Sequence, residues 1–85
     1  MSLKWTDEAW EQYVNWEKQD KKTRNRINAL IKDIQRNGPM KGIGKPEPLK
    51  YRSGYSRRID DVNRLIYDVS GDELNIASCK GHYED

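Results

Sequence analysis

The chain has 85 residues, of which 35% are charged and 34% hydrophobic, and its formal net charge is +2. This length corresponds to one small domain, near the lower limit for folding without disulfides or metal ions. The sequence contains no apolar run of membrane-spanning length and no hydrophobic N-terminal signal, so we expect a cytoplasmic protein. The one cysteine, Cys79, is expected to be a small buried hydrophobic residue rather than a nucleophile.

The charge is unevenly distributed along the chain. Residues 1–20 carry two basic and five acidic side chains, whereas residues 21–40 carry six basic and one acidic. Residues 41–64 carry seven basic and three acidic side chains, and residues 65–85 one basic and five acidic. The positive charge therefore lies in one central block, which is typical of a face that binds a polyanion.

The first half of the chain is predicted to form a strand and two helices. Alternating apolar and polar residues at 2–5 indicate a short strand, and Thr6 can cap the helix that follows. Asp20 can cap a second helix, which has the strongest periodic signal in the chain. Its apolar residues recur at positions i, i+3, i+4 and i+7, namely Ile27, Leu30, Ile31 and Ile34. Gly38 and Pro39 are predicted to end it.

The second half is predicted to contain a long loop and three antiparallel strands. The strands are expected at 55–59, 64–69 and 74–80, with a turn at 70–73. A loop as long as the one before the first of these strands is usually functional or disordered. Residues 1–85 are therefore predicted to form one α+β domain, with two N-terminal helices packed on one face of a small, mostly antiparallel, four-stranded sheet.

A single acid lies between two prolines in the segment 41–59. This segment contains three glycines, and its carboxylate is Glu47. Each proline fixes its own φ angle and restricts the residue before it, so the backbone around Glu47 is expected to be stiff. A loop carboxylate is usually only solvated, but one that lies among Lys45 and Lys50 suits a proton acceptor or a partner for arginine.

Three arginines are candidates for binding phosphate. Neighbouring residues on a strand point to opposite faces, so only one of Arg57 and Arg58 can join a given site, and the stem of the other is expected to cover apolar surface. Arg64 opens the next predicted strand and can lie across from this pair. A single arginine is usually a solvated surface residue, but two arginines and a lysine on one sheet face would form a phosphate site, because guanidinium binds phosphate in a bidentate manner.

The C-terminal residues add an imidazole and an aromatic ring. His82 is the only histidine, and Tyr83 offers a ring on which a nucleobase can stack. An acid–base pair, a cationic group and an aromatic platform are the requirements of metal-free RNA cleavage. The sequence has neither a paired Cys or His spacing nor a phosphate-binding loop motif, so we expect no metal and no cofactor.

Four motifs together resemble those of YoeB-type toxins of the RelE/ParE superfamily. They are GKPEPLK at 44–50, SRRI at 56–59, RLIY at 64–67 and HY at 82–83. The resemblance covers nearly the whole chain, although Glu84 and Asp85 follow the tyrosine at which the family pattern ends. It implies a microbial ribonuclease-like α+β fold and a ribosome-dependent mRNA endonuclease, the toxin of a bacterial type II toxin–antitoxin pair.

The resemblance also implies a role for each residue that matches a family motif. Glu47 is expected to be the general base and His82 the general acid, and Arg64 is expected to stabilise the phosphate. The product is expected to be a 2′,3′-cyclic phosphate. Further contacts with RNA are expected from Lys50, Arg58 and Tyr83, to which we add Lys45.

The resemblance implies several partners. These are mRNA and the ribosome, a cognate antitoxin, promoter DNA bound through the antitoxin complex, and a second copy of the chain, with no membrane partner. Six of the seven charged side chains in residues 21–36 are positive. We therefore expect Lys21, Lys22 and Arg24 to dock on ribosomal RNA rather than only to be solvated.

Two other functions stay open at this point. A ParE-like module of the same fold would inhibit a protein target such as gyrase, and a nucleic-acid-binding module would use the central basic block without cleaving RNA. The set of Glu47, His82 and Tyr83 argues against the first, because such a module needs no paired acid and base. The second predicts a steep salt dependence and no cleavage products.

Overall fold

The computed structural model describes residues 1–82. Its elements are β1 Ser2–Trp5, α1 Asp7–Gln19, α2 Lys21–Asn37, β2 Glu47–Pro48, β3 Tyr55–Arg58, β4 Arg64–Ser70 and β5 Glu73–Ser78. These strands form one sheet in the order β1-β5-β4-β3-β2, in which β1 and β5 are parallel and all other neighbours are antiparallel. The predicted α+β class, with two N-terminal helices on a mostly antiparallel sheet, is confirmed.

The prediction of four strands is wrong, because β2 adds a fifth. Glu47 and Pro48 pair antiparallel with Ser56 and Tyr55 within the segment that was expected to be a loop. Proline cannot donate a hydrogen bond to a sheet and is therefore confined to edge strands, and β2 is an edge strand. The prolines that stiffen this segment also keep the strand short.

Local capping signals define the two helices as the sequence predicted. The Thr6 hydroxyl accepts the Ala9 N–H at 3.0 Å, and the Asp20 carboxylate accepts two N–H groups of the first turn of α2. Gly38 follows α2 with φ of 90°. Neither helix in the described part of the chain is long and apolar enough to cross a membrane.

The hydrophobic core lies between the helices and one face of the sheet. The predicted apolar stripe of α2 is buried, and Ile27, Leu30 and Ile34 are completely so. The sheet contributes four further buried side chains, Leu65, Tyr67, Leu74 and Ile76. This packing buries apolar surface from elements at both ends of the sequence and determines which face of the sheet stays exposed.

Cys79 belongs to this core. Its side chain is completely buried, and its Sγ lies 3.6 Å from the carbonyl oxygen of Ala9. Burial raises the pKa of the Cys79 thiol to about 12, so the thiolate is scarce at neutral pH. The predicted role as a small buried residue is confirmed.

A charged side chain, Arg57, is also completely buried. Its guanidinium pairs with the Asp33 carboxylate of α2 and donates through Nε to the Tyr67 hydroxyl at 2.9 Å. Its remaining N–H groups donate to the carbonyl oxygens of Gly38, Lys41 and Ile43 at 3.0, 2.7 and 2.9 Å. We call these residues the Arg57 network. All guanidinium N–H groups have an acceptor in it, so the charge is buried without an unsatisfied donor.

The Arg57 network orders the long loop that follows α2. The Tyr67 hydroxyl donates to the Pro39 carbonyl at 2.6 Å, and the Ile43 N–H donates to Asp33 at 3.0 Å. The Arg58 N–H then donates to the Gly44 carbonyl at 2.6 Å. The loop is therefore held against α2, β3 and β4 before it reaches β2.

Asp33→Asn is expected to destabilise the protein at neutral pH but not in strong acid. The hydrogen bond from Arg57 outweighs burial and, with the Ile43 N–H and Asn37, lowers the pKa of Asp33 below 3.8. Ionised Asp33 therefore stabilises the fold at pH values above its ordinary pKa. This stabilisation is lost as the pH falls through the lowered pKa that Asp33 has in the folded protein. Urea unfolding of both proteins from about pH 7 to about pH 2 measures the difference.

Glu17→Gln is the matched control, because Glu17 is exposed and forms an ion pair with Arg24 at 3.6 Å. Its effect on the free energy of unfolding is expected to stay below about 1 kcal/mol. A penalty for Asp33→Asn that stays constant down to the lowest pH would contradict the assignment.

Candidate active site

Arg64 joins two chain segments that carry predicted site residues. Its guanidinium Nη1 lies 4.0 Å from a carboxylate oxygen of Glu47. Its backbone N–H donates to the carbonyl oxygen of Gly81 at 3.1 Å, and His82 is the next residue. Glu47 on β2 and the segment that leads to His82 therefore both adjoin the first residue of β4.

Strand register places the charged residues of this site on one face of the sheet. Glu47 pairs with Ser56, and Arg58 pairs with Arg64. Directly paired residues share a face, as do residues two apart in one strand. Glu47, Ser56, Arg58 and Arg64 therefore lie on the same face, while Arg57 points into the core. Of the two neighbouring arginines, Arg58 thus lies on this face and Arg57 does not, a choice that strand spacing alone left open.

The Glu47 carboxylate is accessible, whereas Arg64 is held in place. The Glu47 side chain is 62% exposed and the Arg64 side chain 21%. Arg64 Nη1 also lies 3.4 Å from the Ser56 hydroxyl oxygen, and Ser56 is buried. An ion pair at 4.0 Å in contact with water is weak, so an anionic ligand can replace Glu47 as the partner of Arg64 at little cost.

The other predicted RNA-binding residues are exposed around this pair. Lys45 precedes β2, Lys50 follows it, and Arg58 ends β3. Lys45 has φ of 51°, a conformation that residues other than glycine seldom adopt and that costs on the order of 1–3 kcal/mol. The backbone of Arg58 is held by a hydrogen bond from Arg26 to its carbonyl oxygen at 3.3 Å.

The predicted ribosome-docking residues lie at the start of α2. Lys21 and Lys22 are exposed, whereas Arg24 is partly buried and pairs with Glu17 of α1. Lys22 also lines a groove of about 310 Å³ with Thr23, Arg26, Ile59 and Asp60. The groove adjoins the end of β3, so the basic helix begins close to Arg58. Tyr83, Glu84 and Asp85 lie outside the described residues.

Sequence reasoning missed two residues that support the site. Ser56 contacts Arg64, and Asn63 accepts the N–H of Gly81 through its side-chain oxygen at 2.8 Å. No local signal identifies either contact, because serine and asparagine are common in turns and strand ends for other reasons. Over residues 1–82, no three side chains of histidine, cysteine, aspartate or glutamate form a group that could hold a metal ion.

Comparison with known proteins identifies the family. The family model described as "YoeB-like toxin of bacterial type II toxin-antitoxin system" matches residues 5–83. Toxin YoeB of Streptomyces coelicolor is 52% identical and that of Escherichia coli K12 is 49% identical, and each match covers 98% of this chain and 100% of the relative.

Solved structures agree with this assignment. The YoeB dimer of Staphylococcus aureus superposes with a TM-score of 0.93 at 45% identity and covers 98% of both chains. A heterotetrameric YoeB–YefM toxin–antitoxin complex from the same organism gives a TM-score of 0.91 at 45% identity, also over 98% of both chains. The chain therefore belongs to the YoeB-like toxin family of bacterial type II toxin–antitoxin systems.

Proposed function

We propose that this toxin is a ribosome-dependent endoribonuclease, which acts in the bacterial cytoplasm and cleaves mRNA in the ribosomal A site by metal-free acid–base catalysis. The contacts of Arg64 with Glu47 and with Gly81 are the observation that supports the proposal. An exposed carboxylate lies 4.0 Å from the Arg64 guanidinium, and the segment that carries the only histidine is bound to the backbone N–H of the same residue. Metal-free cleavage of RNA requires such a base and acid on either side of a cation.

In this mechanism Glu47 and His82 each transfer one proton, and Arg64 stabilises the charge that develops on the phosphate. The Glu47 carboxylate removes the proton of a ribose 2′-hydroxyl, and the 2′-oxygen attacks the neighbouring phosphorus. Arg64 stabilises the negative charge that builds on the phosphate oxygens, with help from Arg58 and Lys50. His82 protonates the departing 5′-oxygen, so the products are a 2′,3′-cyclic phosphate and a free 5′-hydroxyl. Tyr83 stacks on a base of the codon, and Lys45 contributes a further cation.

Relatives support proposals about protein partners. A YoeB relative from Staphylococcus aureus forms a dimer, and a YoeB from the same organism forms a heterotetrameric complex with the antitoxin YefM. We infer that this chain likewise binds a YefM-like antitoxin and a second copy of itself, and that it reaches promoter DNA only through the antitoxin complex.

Glu47→Gln and His82→Gln are each expected to lower the rate of mRNA cleavage by about 10²–10⁴-fold, because each removes a positioned proton-transfer group. The fold should be unaffected, since both side chains are exposed. Primer extension on a translated message, with mapping of both product ends, measures cleavage at A-site codons.

Glu73→Gln is the matched control for Glu47→Gln. Glu73 opens β5 next to the opposite edge strand and contacts Lys4 at 3.6 Å, so its loss should leave cleavage unchanged. Wild-type rates in the Glu47 and His82 variants would overturn the proposed mechanism. Growth inhibition without cleavage products would favour the ParE-like inhibitor instead.

Charge reversal of Lys21 and Lys22 to glutamate is expected to weaken binding to ribosomes without changing the position of the cuts. Both side chains are exposed at the start of α2 and provide charge for phosphate binding. Cosedimentation with ribosomes at several salt concentrations measures the change, which should be largest at low salt.

Reversal of Lys32 and Arg36 is the matched control, because this pair lies near the other end of α2 and is also exposed. Equal weakening by both double variants would show that docking depends only on total charge. That result would contradict a specific role for the start of α2.

A further inference from the structure

Asn63 holds the residue that precedes His82. Its side-chain oxygen accepts the Gly81 N–H at 2.8 Å, and the Arg64 N–H donates to the Gly81 carbonyl at 3.1 Å. Both backbone polar groups of Gly81 are therefore bound by two successive residues at the start of β4. Asn63 is only 9% exposed, so this contact is largely shielded from water.

Asn63 is itself fixed on two sides. Its carbonyl oxygen accepts the N–H groups of Ile59 at 3.0 Å and Asp60 at 3.2 Å. Its side-chain NH₂ group donates to both carboxylate oxygens of Asp60, at 3.2 and 3.0 Å. The turn between β3 and β4 therefore presents the Asn63 side chain in one orientation.

The charge of Asp60 determines which end of the amide faces Gly81. Burial disfavours the ionised form of Asp60, but hydrogen bonds from Asn63 and the Val62 N–H outweigh burial and lower the pKa of this carboxyl below 3.8. An ionised carboxylate can only accept hydrogen bonds. The NH₂ group of Asn63 must therefore face Asp60, and its oxygen faces the Gly81 N–H.

Gly81 determines the direction in which the chain leaves toward His82. Its φ is 83°, a conformation that glycine adopts without steric cost. Because glycine has no side chain to pack, its torsion angles are restrained here by the hydrogen bonds to Asn63 and Arg64. Of these two hydrogen bonds, the one to Arg64 would remain after loss of the Asn63 oxygen.

We propose that Asn63 is a positioning residue for His82, which holds the Gly81–His82 segment against Arg64 without touching RNA. This proposal rests on the proposed function, in which His82 protonates the departing 5′-oxygen. A proton donor that is displaced by about 1 Å can lose on the order of 100-fold in rate, so a contact outside the reacting groups can control the chemical step.

The first test is the kinetics of Asn63→Ala on ribosome-bound mRNA. We expect kcat to fall by about 10–100-fold with little change in KM, because Lys50, Arg58 and Arg64 remain available to bind phosphate. In the His82→Gln background the same change is expected to cause no further loss, since the residue that Asn63 positions is then absent. A further loss of similar size in that background would overturn the proposal.

A double variant provides the rescue. Asp60→Asn combined with Asn63→Asp exchanges donor and acceptor. The carboxylate at position 63 then accepts hydrogen bonds from the side-chain amide at position 60 and from the Gly81 N–H. We expect kcat to return to within about threefold of the wild-type value. A folded double variant as slow as Asn63→Ala would contradict the positioning role.

Asn75→Ala is the matched control. The Asn75 amide donates to the Asp68 carboxylate at 2.8 Å across β4 and β5, which is the same type of hydrogen bond. Position 68 lies about 13 Å along β4 from Arg64, so cleavage is expected to be unchanged. An equal loss of kcat in both alanine variants would show a general effect on the sheet and overturn the proposal.

Amide hydrogen exchange at Gly81 tests the positioning without RNA. Exchange should be faster in Asn63→Ala, unchanged in Asn75→Ala and restored in the double variant. Unchanged exchange in Asn63→Ala would overturn the positioning role even if the protein cleaves mRNA. Absence of cleavage by the wild-type protein would instead refute the proposed function, and the exchange result would still show whether Asn63 holds Gly81.

Discussion

The buried guanidinium of Arg57 is the interaction on which the rest of the structure depends. A charge in a protein interior is tolerated only where it is paired and its hydrogen bonds are made, and removal of one partner of a buried pair typically costs about 3–5 kcal/mol. Here several acceptors come from the loop after α2 rather than from regular elements. An apolar side chain of similar size could fill the space, but it could not bind those carbonyl groups. The Arg57 network therefore orders a segment whose composition favours disorder.

The order of this loop extends to the candidate active site. The bond between Gly44 and Arg58 brings the chain to the edge of β3, where Glu47 pairs with Ser56. Asn63 holds the other end of the site through Gly81. Of the residues proposed to act on RNA, Glu47, Arg58 and His82 are exposed. The residues that support the site, Arg57, Ser56 and Asn63, are buried. Buried residues thus support a candidate site whose proposed catalytic groups are accessible from solvent.

Local signals allowed part of the fold to be predicted from the sequence. Thr6 and Asp20 cap helices through contacts two or three residues away, and Ile27 lies on a regular apolar stripe. β2 has two residues, too few for a periodic pattern, and the contact between Asn63 and Gly81 spans 18 residues. Spacing also cannot bring Glu47, Arg64 and His82 together. Their residue types and the resemblance to a family suggested the group. Strand register places Glu47 near Arg64, and the hydrogen bond between Arg64 and Gly81 brings the residue before His82 to the same strand end.

The tandem arginines show why strand register matters to the site. A slip of one residue in β3 would exchange the faces of Arg57 and Arg58 and move Ser56 away from Glu47. The Arg57 network opposes this slip, because the acceptors around Arg57 match the five N–H donors of a guanidinium. Lysine offers three donors, so it would leave buried acceptors unpaired at about 1–3 kcal/mol each. Position 57 therefore requires arginine for its geometry, whereas Arg58 lies exposed on the face that it shares with Arg64.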